Sequence, residues 1–296
     1  MHKLFAYLKL VRFPAVFTAV ADVLAGFACV SGGFEPLSTL AWLALTSALL
    51  YSAGMTFNDL FDRHADAVHR PERPIPSGMV TAREAAILGV CFFGLAFTIA
   101  VYVNAAAAAV TFALLMLILC YDTAAKHSPL GPLVMGACRG LNVLLGASAG
   151  GVFGLLVQPP AATMAAALTV YVAGLTWIAR GETTGGSTRD LLLGHTFVNL
   201  GLLAFGWLTQ TLASRFGPSA LLIVLIVAVT ANYRLSLIWK LRSSLTVRRA
   251  VRTLLLSIVV LDAAMTLFVT GRPAFGLCVL ALLVPHLLLQ KLFSVV

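Results

Sequence analysis

Charged residues are scarce in this sequence: only 10% of its 296 residues are Asp, Glu, Lys or Arg, whereas 60% are hydrophobic. This shortage of charge excludes an ordinary soluble domain, which could not keep so apolar a chain in water. A helix that crosses a membrane needs about 20 apolar residues, because each backbone polar group must be bonded inside its own segment. The composition therefore predicts an all-α, polytopic membrane protein with the lipid bilayer as its solvent.

Cysteine is the second shortage. The five cysteines lie apart in apolar segments, with no C-x-x-C pair and no cluster of histidines that would complete a metal site. We expect them to pack in the bundle or to face lipid. A cleavage site of small residues is also missing after the first apolar run, which contains Asp22. We therefore expect this run to be retained and not removed as a signal peptide.

Long apolar runs are what the sequence has in abundance. The run from Ala85 to Tyr121 contains no charge and is too long for one crossing, and Asn104 is its natural turn. With a hairpin at this point, the apolar runs predict ten spans, near residues 13–31, 38–57, 85–103, 105–121, 130–152, 161–179, 190–211, 218–238, 253–271 and 274–293.

Positive charge is concentrated in the predicted loops of one side. The formal net charge of +9 would also suit a nucleic-acid partner, but the basic residues follow the alternation of the loops instead. With the N-terminus inside, sixteen lysines and arginines lie on the cytoplasmic side, and only Arg215 and Arg272 lie outside. This bias predicts an even number of spans, both termini in the cytoplasm and no nucleic-acid partner.

The loop after the second span has the richest polar pattern, N-D-L-F-D-R-H-A-D from Asn58 to Asp66. If the helix continues through this stretch, Asp59, Asp62 and Asp66 fall on one face within about 60°. Carboxylates so placed repel one another, and a divalent cation that bridges to phosphate oxygens is the usual reason to keep them together. The alternative is a solvated acidic helix end. The same loop supplies natural phosphate partners, Arg63, Arg70 and Arg73.

Two further loops on the same side are polar. The loop after the fourth span contains Tyr121 and Lys126, and a lysine at this boundary is either a ligand contact or an interfacial anchor. The loop after the sixth span reads R-G-E-T-T-G-G-S-T-R-D from Arg180 to Asp190. Its glycines break the helix and could let backbone N–H groups approach an anion. Glu182 and Asp190 could supply a second metal site, and a plain glycine-rich connector is the alternative.

The first of these motifs, N-D-x-x-D-x-x-x-D followed by R-P-E-R-P-I-P-S-G, resembles the UbiA superfamily of intramembrane prenyltransferases. The resemblance extends over most of the chain and includes the spacing of Tyr121 and Lys126. It implies one domain over residues 1–296, a bundle of commonly nine helices where this chain has ten predicted spans, and a central cavity open to the cytoplasmic side and the membrane. Mg²⁺ ions would be held by two acidic motifs, and an isoprenoid tail would lie along apolar helices.

The resemblance also implies residue roles. Asn58, Asp59, Asp62 and Asp66 would form the first metal and diphosphate motif, and Arg73 and Lys126 would bind the phosphates. The second motif departs from the family's D-x-x-x-D, because Glu182 takes its first place and a glycine lies at or beside the second. We expect an aspartate restored at Gly186 to tighten the dependence on Mg²⁺. Further expected substrate contacts are Arg63, Arg70, Tyr121, Arg180 and Arg189, with Asp190 a further metal candidate.

Ionisable and amide side chains inside spans form a separate group, since each costs a few kcal/mol when exposed to lipid and so faces the bundle interior. Two segments around Asp22 and around Arg139 and Asn142 look like a UbiA-like branch associated with secondary-metabolite gene clusters. We therefore expect these three residues to contact substrate in the cavity. For Arg234 and Asp262, packing and function are equally good interpretations.

The function predicted from these patterns is Mg²⁺-dependent transfer of a prenyl group from a prenyl diphosphate to a small acceptor within the membrane. The expected location is a bacterial inner (plasma) membrane, with the active site facing the cytoplasm. Two alternatives stay open: transfer of a sugar or cyclitol phosphate to a polyprenyl phosphate, and a transporter or lipid carrier. The acceptor, the prenyl chain length and the oligomeric state are not specified by the sequence.

Overall fold

The computed structural model describes residues 2–152, 154, 159–211 and 216–295. The helices, in chain order, are α1 (His2–Leu10), α2 (Phe13–Ser31), α3 (Leu37–Phe61), α4 (Arg63–His69), α5 (Ala82–Val103), α6 (Ala105–Cys120), α7 (Gly131–Ala147), α8 (Pro159–Ala179), α9 (Thr188–Thr211), α10 (Gly217–Leu241), α11 (Ser244–Thr270), α12 (Pro273–Ala281) and α13 (Leu283–Val295). A π-helical turn, Tyr121–Ala125, continues α6, and a 3₁₀ turn, Ser148–Gly150, follows α7.

Ten helical segments within the described residues are long and apolar enough to cross a membrane, and α12 and α13 together make the tenth, Pro273–Phe293. The predicted number of spans and the all-α class are confirmed. The hairpin at Asn104 is also confirmed: this residue is extended between α5 and α6, and its side chain accepts a hydrogen bond from the Ala107 N–H at 2.8 Å. The side-chain cap satisfies one of the free N–H groups at the start of α6.

One predicted boundary is wrong by nine residues. The ninth span was predicted to begin at residue 253, but α11 begins at Ser244, where the Ser243 hydroxyl accepts a hydrogen bond from the Thr246 N–H. The apolar run starts only after three arginines, whereas the helix starts at its cap. Arg248, Arg249 and Arg252 therefore lie on a helix and not in a loop.

Helix α2 is central to the bundle, because it packs against α3, α7 and α11. Its contact with α7 is made backbone to backbone. A Cβ atom on Gly26 would lie 1.9 Å from the Val143 carbonyl oxygen, and one on Gly146 would lie 2.1 Å from the Val23 carbonyl oxygen. Only glycine fits at these two positions, and this close approach brings the polar residues of α2 and α7 within hydrogen-bonding distance of one another.

The two ends of the described chain lie on the same side of the bundle. Phe5 of α1 stacks on Phe293 of α13 with ring centroids 4.6 Å apart. An even number of membrane crossings returns the chain to the side on which it started, so this contact agrees with ten spans. Arg272 precedes α12 at the opposite end and lies over the Phe275 ring, whereas Arg215 lies outside the described residues.

Candidate active site

A cavity of about 360 Å³ lies among α2, α3, α6, α7, α8 and α11, and its polar groups are gathered at two ends. The end that we call the mouth is lined by Arg12, Asn58, Tyr121, Asp122 and Glu182. The end that we call the inner end is lined by Ser47, Arg139 and Asn142. Along α3, Ser47 and Asn58 are eleven residues apart, which places the two ends about 16 Å from each other. The wall between them is mostly apolar, and includes Leu50, Ile118, Val172, Leu175 and Ile258.

The predicted acidic motif lies at the end of α3 and in α4. The two helices meet at Asp62, whose N–H donates to the Asn58 carbonyl and whose carbonyl accepts from the Asp66 N–H, so helical spacing persists across the junction. Asp59 and Asp66 are buried. Nη1 of Arg73 donates to Asp59 at 3.0 Å and to Asp66 at 2.6 Å. One guanidinium thus joins two of the three predicted carboxylates.

The third carboxylate has a different partner. Asp62 forms an ion pair with Lys126, which follows the π-helical turn after α6. The predicted convergence of three carboxylates on one point is therefore not seen: no group of three or more His, Cys, Asp or Glu side chains lies close enough to hold a metal ion in the part of the chain that the structure describes. Repulsion between the carboxylates is relieved by Arg73 and Lys126 instead.

Two residues at the mouth were missed by sequence reasoning. Arg12 begins α2 with a left-handed backbone, and its Nη2 donates to Asp59 at 3.3 Å. Asp122 accepts a hydrogen bond from Nδ2 of Asn58 at 2.9 Å. Asp122 directly follows Tyr121, which the sequence predicts as a substrate contact, so the position of Asp122 beside Tyr121 could have indicated it. Arg12 had no signal, because an arginine before a first span is typical of any membrane protein.

Glu182 lies in the loop after α8 and lines the mouth. Burial raises the pKa of its carboxyl above the ordinary value, and the positive charges of Arg70, Arg248 and Arg12 oppose that shift. Glu182 is therefore within electrostatic range of arginines from three separate segments. The sequence predicts Arg248 only as a basic residue of a cytoplasmic loop. In the structure it lies on α11, within electrostatic range of Glu182.

Four other predicted residues lie outside the cavity wall. Asp190 exchanges hydrogen bonds with Ser187 at the start of α9, and its Oδ1 is 4.0 Å from Nη1 of Arg180. Arg180 also donates to the Ser128 carbonyl. Nη1 of Arg63 donates to the Leu60 carbonyl at 3.0 Å, and the fourth residue, Arg189, is exposed. Their predicted roles in binding stay predictions.

Gly186 cannot readily take the aspartate that the family pattern suggests. Its φ is +87°, a left-handed value that strains any residue with a Cβ. A Cβ would also lie 3.1 Å from Cδ2 of Leu191. The substitution would therefore strain the loop, and the expected tightening of the Mg²⁺ dependence stays a prediction.

The inner end is built around Asp22, which is fully buried. Its Oδ2 accepts hydrogen bonds from Nη1 of Arg139 and Nδ2 of Asn142, both at 2.9 Å. Nη2 of Arg139 donates to the Thr18 hydroxyl at 2.9 Å, and the Ser47 hydroxyl donates to Oδ1 of Asn142 at 2.7 Å. Asp22, Arg139 and Asn142, which the sequence placed in one group, thus form one hydrogen-bonded cluster.

A second carboxyl group, that of Asp262, lies on α11, which packs against the α2 helix that contains Asp22. Asp262 is fully buried, and neither of its oxygens has a hydrogen-bond donor among the described residues. An ionisable side chain inside a span is costly when exposed to lipid, and Asp262 accordingly lies in the bundle interior.

Comparison of the sequence with known protein families identifies the family of this chain. Residues 19–259 match the UbiA prenyltransferase family. Over 162 residues the chain is 34% identical to the digeranylgeranylglyceryl phosphate synthase of Methanosarcina mazei, across 50% of this chain and 56% of that protein. Over 146 residues it is 33% identical to the 4-hydroxybenzoate octaprenyltransferase of Polaromonas sp., across 48% of this chain and 51% of that protein. The chain spans about half the length of these curated relatives.

Solved structures share the fold. A UbiA homolog from Archaeoglobus fulgidus bound to DMAPP and Mg²⁺ superimposes with a TM-score of 0.65 at 16% identity, over 93% of this chain and 99% of that chain. The apo structure of a UbiA homolog from Aeropyrum pernix K1 gives a TM-score of 0.67 at 20% identity, over 86% of this chain and 97% of that chain. The family match covers most of the chain, from α2 to α11, and the protein is therefore a member of the UbiA prenyltransferase family.

Proposed function

We propose that the protein transfers a prenyl group from a prenyl diphosphate to a small acceptor, with Mg²⁺ at the mouth of the cavity. The observation that carries this proposal is the combination of carboxylates and cations at one end of an apolar cavity. A diphosphate needs positive charge, whereas an allylic chain needs an apolar wall. Both are present within about 16 Å along α3.

The residues at the mouth suit a hard divalent cation. Mg²⁺ prefers oxygen ligands, and the candidates are carboxylate and amide oxygens, with Asp59 and Asp66 buried beside the mouth. The carboxylates are paired with Arg73 and Lys126 in the structure and are not gathered as a metal site among the described residues. Asn58, Asp59, Asp62, Asp66 and Glu182 are the proposed ligands once these side chains turn towards the ion, which would neutralise charge on the leaving diphosphate.

Arg73 and Lys126 are proposed to bind the diphosphate itself. Both pair with carboxylates of the acidic motif in the structure. A bound cation would take over the neutralisation of those carboxylates, and the two side chains could then donate to phosphate oxygens in charge-assisted hydrogen bonds. Arg70 and Arg248, whose charges act on Glu182, are proposed to add positive charge where the diphosphate leaves.

The inner end is proposed to bind the acceptor. A guanidinium has five N–H groups, and two of those on Arg139 donate within the cluster. Because Arg139 lines the cavity, a remaining N–H can donate to an oxygen of the acceptor.

In the reaction, the bond between the prenyl carbon and the diphosphate oxygen breaks, the acceptor bonds to that carbon, and a proton leaves the acceptor. An acceptor whose oxygen is held by Arg139 would extend towards the mouth to reach the prenyl carbon. Asp122 at the mouth, with one oxygen bonded to Asn58, is the proposed proton acceptor.

The apolar wall between the two ends has its own role. A prenyl carbon that loses diphosphate becomes strongly electrophilic, and water would capture it. Side chains such as Leu50, Val172 and Ile258 exclude water from the path between diphosphate and acceptor. The proposed location is a bacterial inner membrane with the mouth facing the cytoplasm, which the one-sided distribution of basic residues supports.

Transfer of a sugar or cyclitol phosphate to a polyprenyl phosphate is the second candidate. One observation favours it, namely the hydrogen-bonding groups of Ser47, Arg139 and Asn142 at the inner end, since a hydroxylated substrate needs such partners. A transporter or lipid carrier has no comparable support, because the phosphate-binding groups are gathered at a single end of the cavity.

Product analysis tests the proposal. The purified protein is incubated with Mg²⁺, isotope-labelled prenyl diphosphates and cell extract, and labelled lipids are identified by mass spectrometry. We expect a prenylated product and release of diphosphate.

Variants test the metal and diphosphate site. Asp59→Ala or Asp62→Ala should abolish turnover while the protein stays folded in the membrane. Glu35→Gln, which replaces an exposed acidic residue between α2 and α3, should retain turnover. Full turnover of either aspartate variant, or of the wild type in excess chelator, would refute the metal and diphosphate assignment.

A further inference from the structure

Three arginines lie together on the bundle surface, separate from the cavity. They line a pocket of about 470 Å³ between α10 and α11, formed by Arg234, Arg249, Arg252, Thr253 and Leu256. We call it the three-arginine pocket. Helices α10 and α11 pack against each other and are joined by only two residues, so they run antiparallel. None of the five residues lines the cavity wall.

The pocket lies at one level of the membrane. Arg234 is seven residues, or about 10 Å, from the end of α10, and Arg249 and Arg252 are about 8 and 12 Å from the start of α11. Helix α10 has 25 residues and so is about 37 Å long, against about 30 Å of hydrocarbon. A centred helix would extend about 3–4 Å beyond the hydrocarbon at each end, which places the Arg234 backbone about 7 Å inside the hydrocarbon boundary; a long arginine side chain at this depth extends towards the headgroups.

The pocket is on the side of the membrane that contains the mouth. Nη1 of Arg242, in the connection between α10 and α11, is 3.4 Å from the Thr188 hydroxyl at the start of α9. Arg248, on the first turns of α11, is near enough to Glu182 at the mouth to act on the pKa of its carboxyl. Arg249 and Arg252 are exposed and line the three-arginine pocket instead. The start of α11 therefore places one positive charge, that of Arg248, near the mouth and two, those of Arg249 and Arg252, in the three-arginine pocket.

No carboxylate in the described part of the chain balances the positive charge of the pocket. Among the described residues, no carboxylate forms an ion pair with Arg234, Arg249 or Arg252, although Arg12, Arg73 and Arg139 each have one. The hydrogen bond that Arg252 makes is to the neutral side chain of Gln290 on α13, at 3.3 Å. Three guanidinium groups at this depth repel one another and need an anion from elsewhere.

We propose that the three-arginine pocket binds the phosphate group of an anionic membrane phospholipid. The planar guanidinium groups match phosphate oxygens with paired N–H donors. Leu256, one turn deeper on α11 than Arg252, gives the pocket an apolar inner edge along which an acyl chain can pass. The site is independent of the transfer reaction, because it shares no residue with the cavity.

Lipid binding is measured by native mass spectrometry and by titration of the protein in nanodiscs. Phosphatidylglycerol is compared with phosphatidylcholine of the same acyl chains. The variants are Arg234→Gln and the double variant Arg249→Gln/Arg252→Gln. The matched control is Arg83→Gln, which removes an exposed arginine near the start of α5. Arg249→Lys/Arg252→Lys retains the charge but removes the planar donors.

We expect the wild type to prefer phosphatidylglycerol. A basic residue near an anionic surface contributes about 1 kcal/mol, so each lost arginine should weaken binding about 5-fold and the double variant about 30-fold. The lysine variant should fall between the wild type and the glutamine variant, and Arg83→Gln should bind as the wild type does. Equal weakening by Arg83→Gln would overturn the proposal, because the effect would then be one of net charge.

Inorganic phosphate and pyrophosphate distinguish a lipid from a soluble anion. Neither should displace phosphatidylglycerol at the concentrations at which lipid binding saturates, since neither has an acyl chain to lie along Leu256. Displacement by either ion would overturn the assignment to a lipid. Thermal unfolding of each variant in phosphatidylcholine checks its fold. If the glutamine variants fail to fold, the lysine variant and the wild-type preference for phosphatidylglycerol decide the outcome, and absence of a preference refutes the site.

Discussion

Replacing Arg73 tests whether the acidic motif is held together by cations that a metal ion can substitute. Arg73 donates to Asp59 and Asp66, both buried. Removing one partner of a buried ion pair costs about 3–5 kcal/mol. Arg12 still pairs with Asp59 at 3.3 Å, which places Arg73→Gln near the lower limit, about 3 kcal/mol. For a chain of this size the loss corresponds to a fall of about 5–10 °C in the melting temperature.

The assay is thermal unfolding of purified protein in detergent, with and without Mg²⁺. Mg²⁺ should stabilise Arg73→Gln more than the wild type, because the ion supplies the positive charge that the two carboxylates have lost. Arg63→Gln is the control, since it loses only a hydrogen bond to the Leu60 carbonyl, worth about 1 kcal/mol. An unchanged melting temperature for Arg73→Gln, or an equal gain from Mg²⁺ in variant and wild type, would refute the reasoning.

Three further predictions address the second acidic residue, the topology and the inner end. Glu182→Gln should raise the Mg²⁺ concentration needed for half-maximal turnover, because one carboxylate charge is lost; an unchanged midpoint, equal to that of Glu35→Gln, would exclude Glu182 from the metal site. A reporter fused after Lys291 should report the cytoplasm, and a periplasmic signal would mean nine spans. Arg139→Met should destabilise the protein by about 3–5 kcal/mol. Adding Asp22→Asn should recover part of that stability in an unfolding assay, because it removes the unpaired charge; no recovery would contradict the ion-pair assignment.

The spans could be predicted from the sequence because their signals are local. Ten apolar runs and a polar Asn104 within the longest of them are visible without any tertiary information, and the structure agrees. The start of α11 was missed because hydropathy detects apolar residues, whereas this helix begins with a serine cap and three arginines.

The candidate site could be predicted only in part. The motif from Asn58 to Asp66 identified the mouth, but which cation pairs with which carboxylate depends on the rotation of α3 and α6 and on the path of the loop that contains Arg73. The hydrogen bonds of Asp22 to Arg139 and Asn142 likewise depend on the packing of α2 against α7. A sequence shows the approximate depth of such residues in the membrane, but not their neighbours.

The size of the cavity has a consequence for the choice of prenyl donor. About 360 Å³ is near the lower limit of ligand pockets, which range from about 300 to 1,000 Å³. In the proposed reaction this volume must enclose the diphosphate, the reacting carbons and the acceptor, so the distal units of a long tail extend beyond it. Those units would contact lipid instead of a closed protein wall, and the described residues that line the cavity would not measure the length of the tail. A donor with four prenyl units and one with eight would then differ little at the reacting carbon, and selectivity would be set by the acceptor.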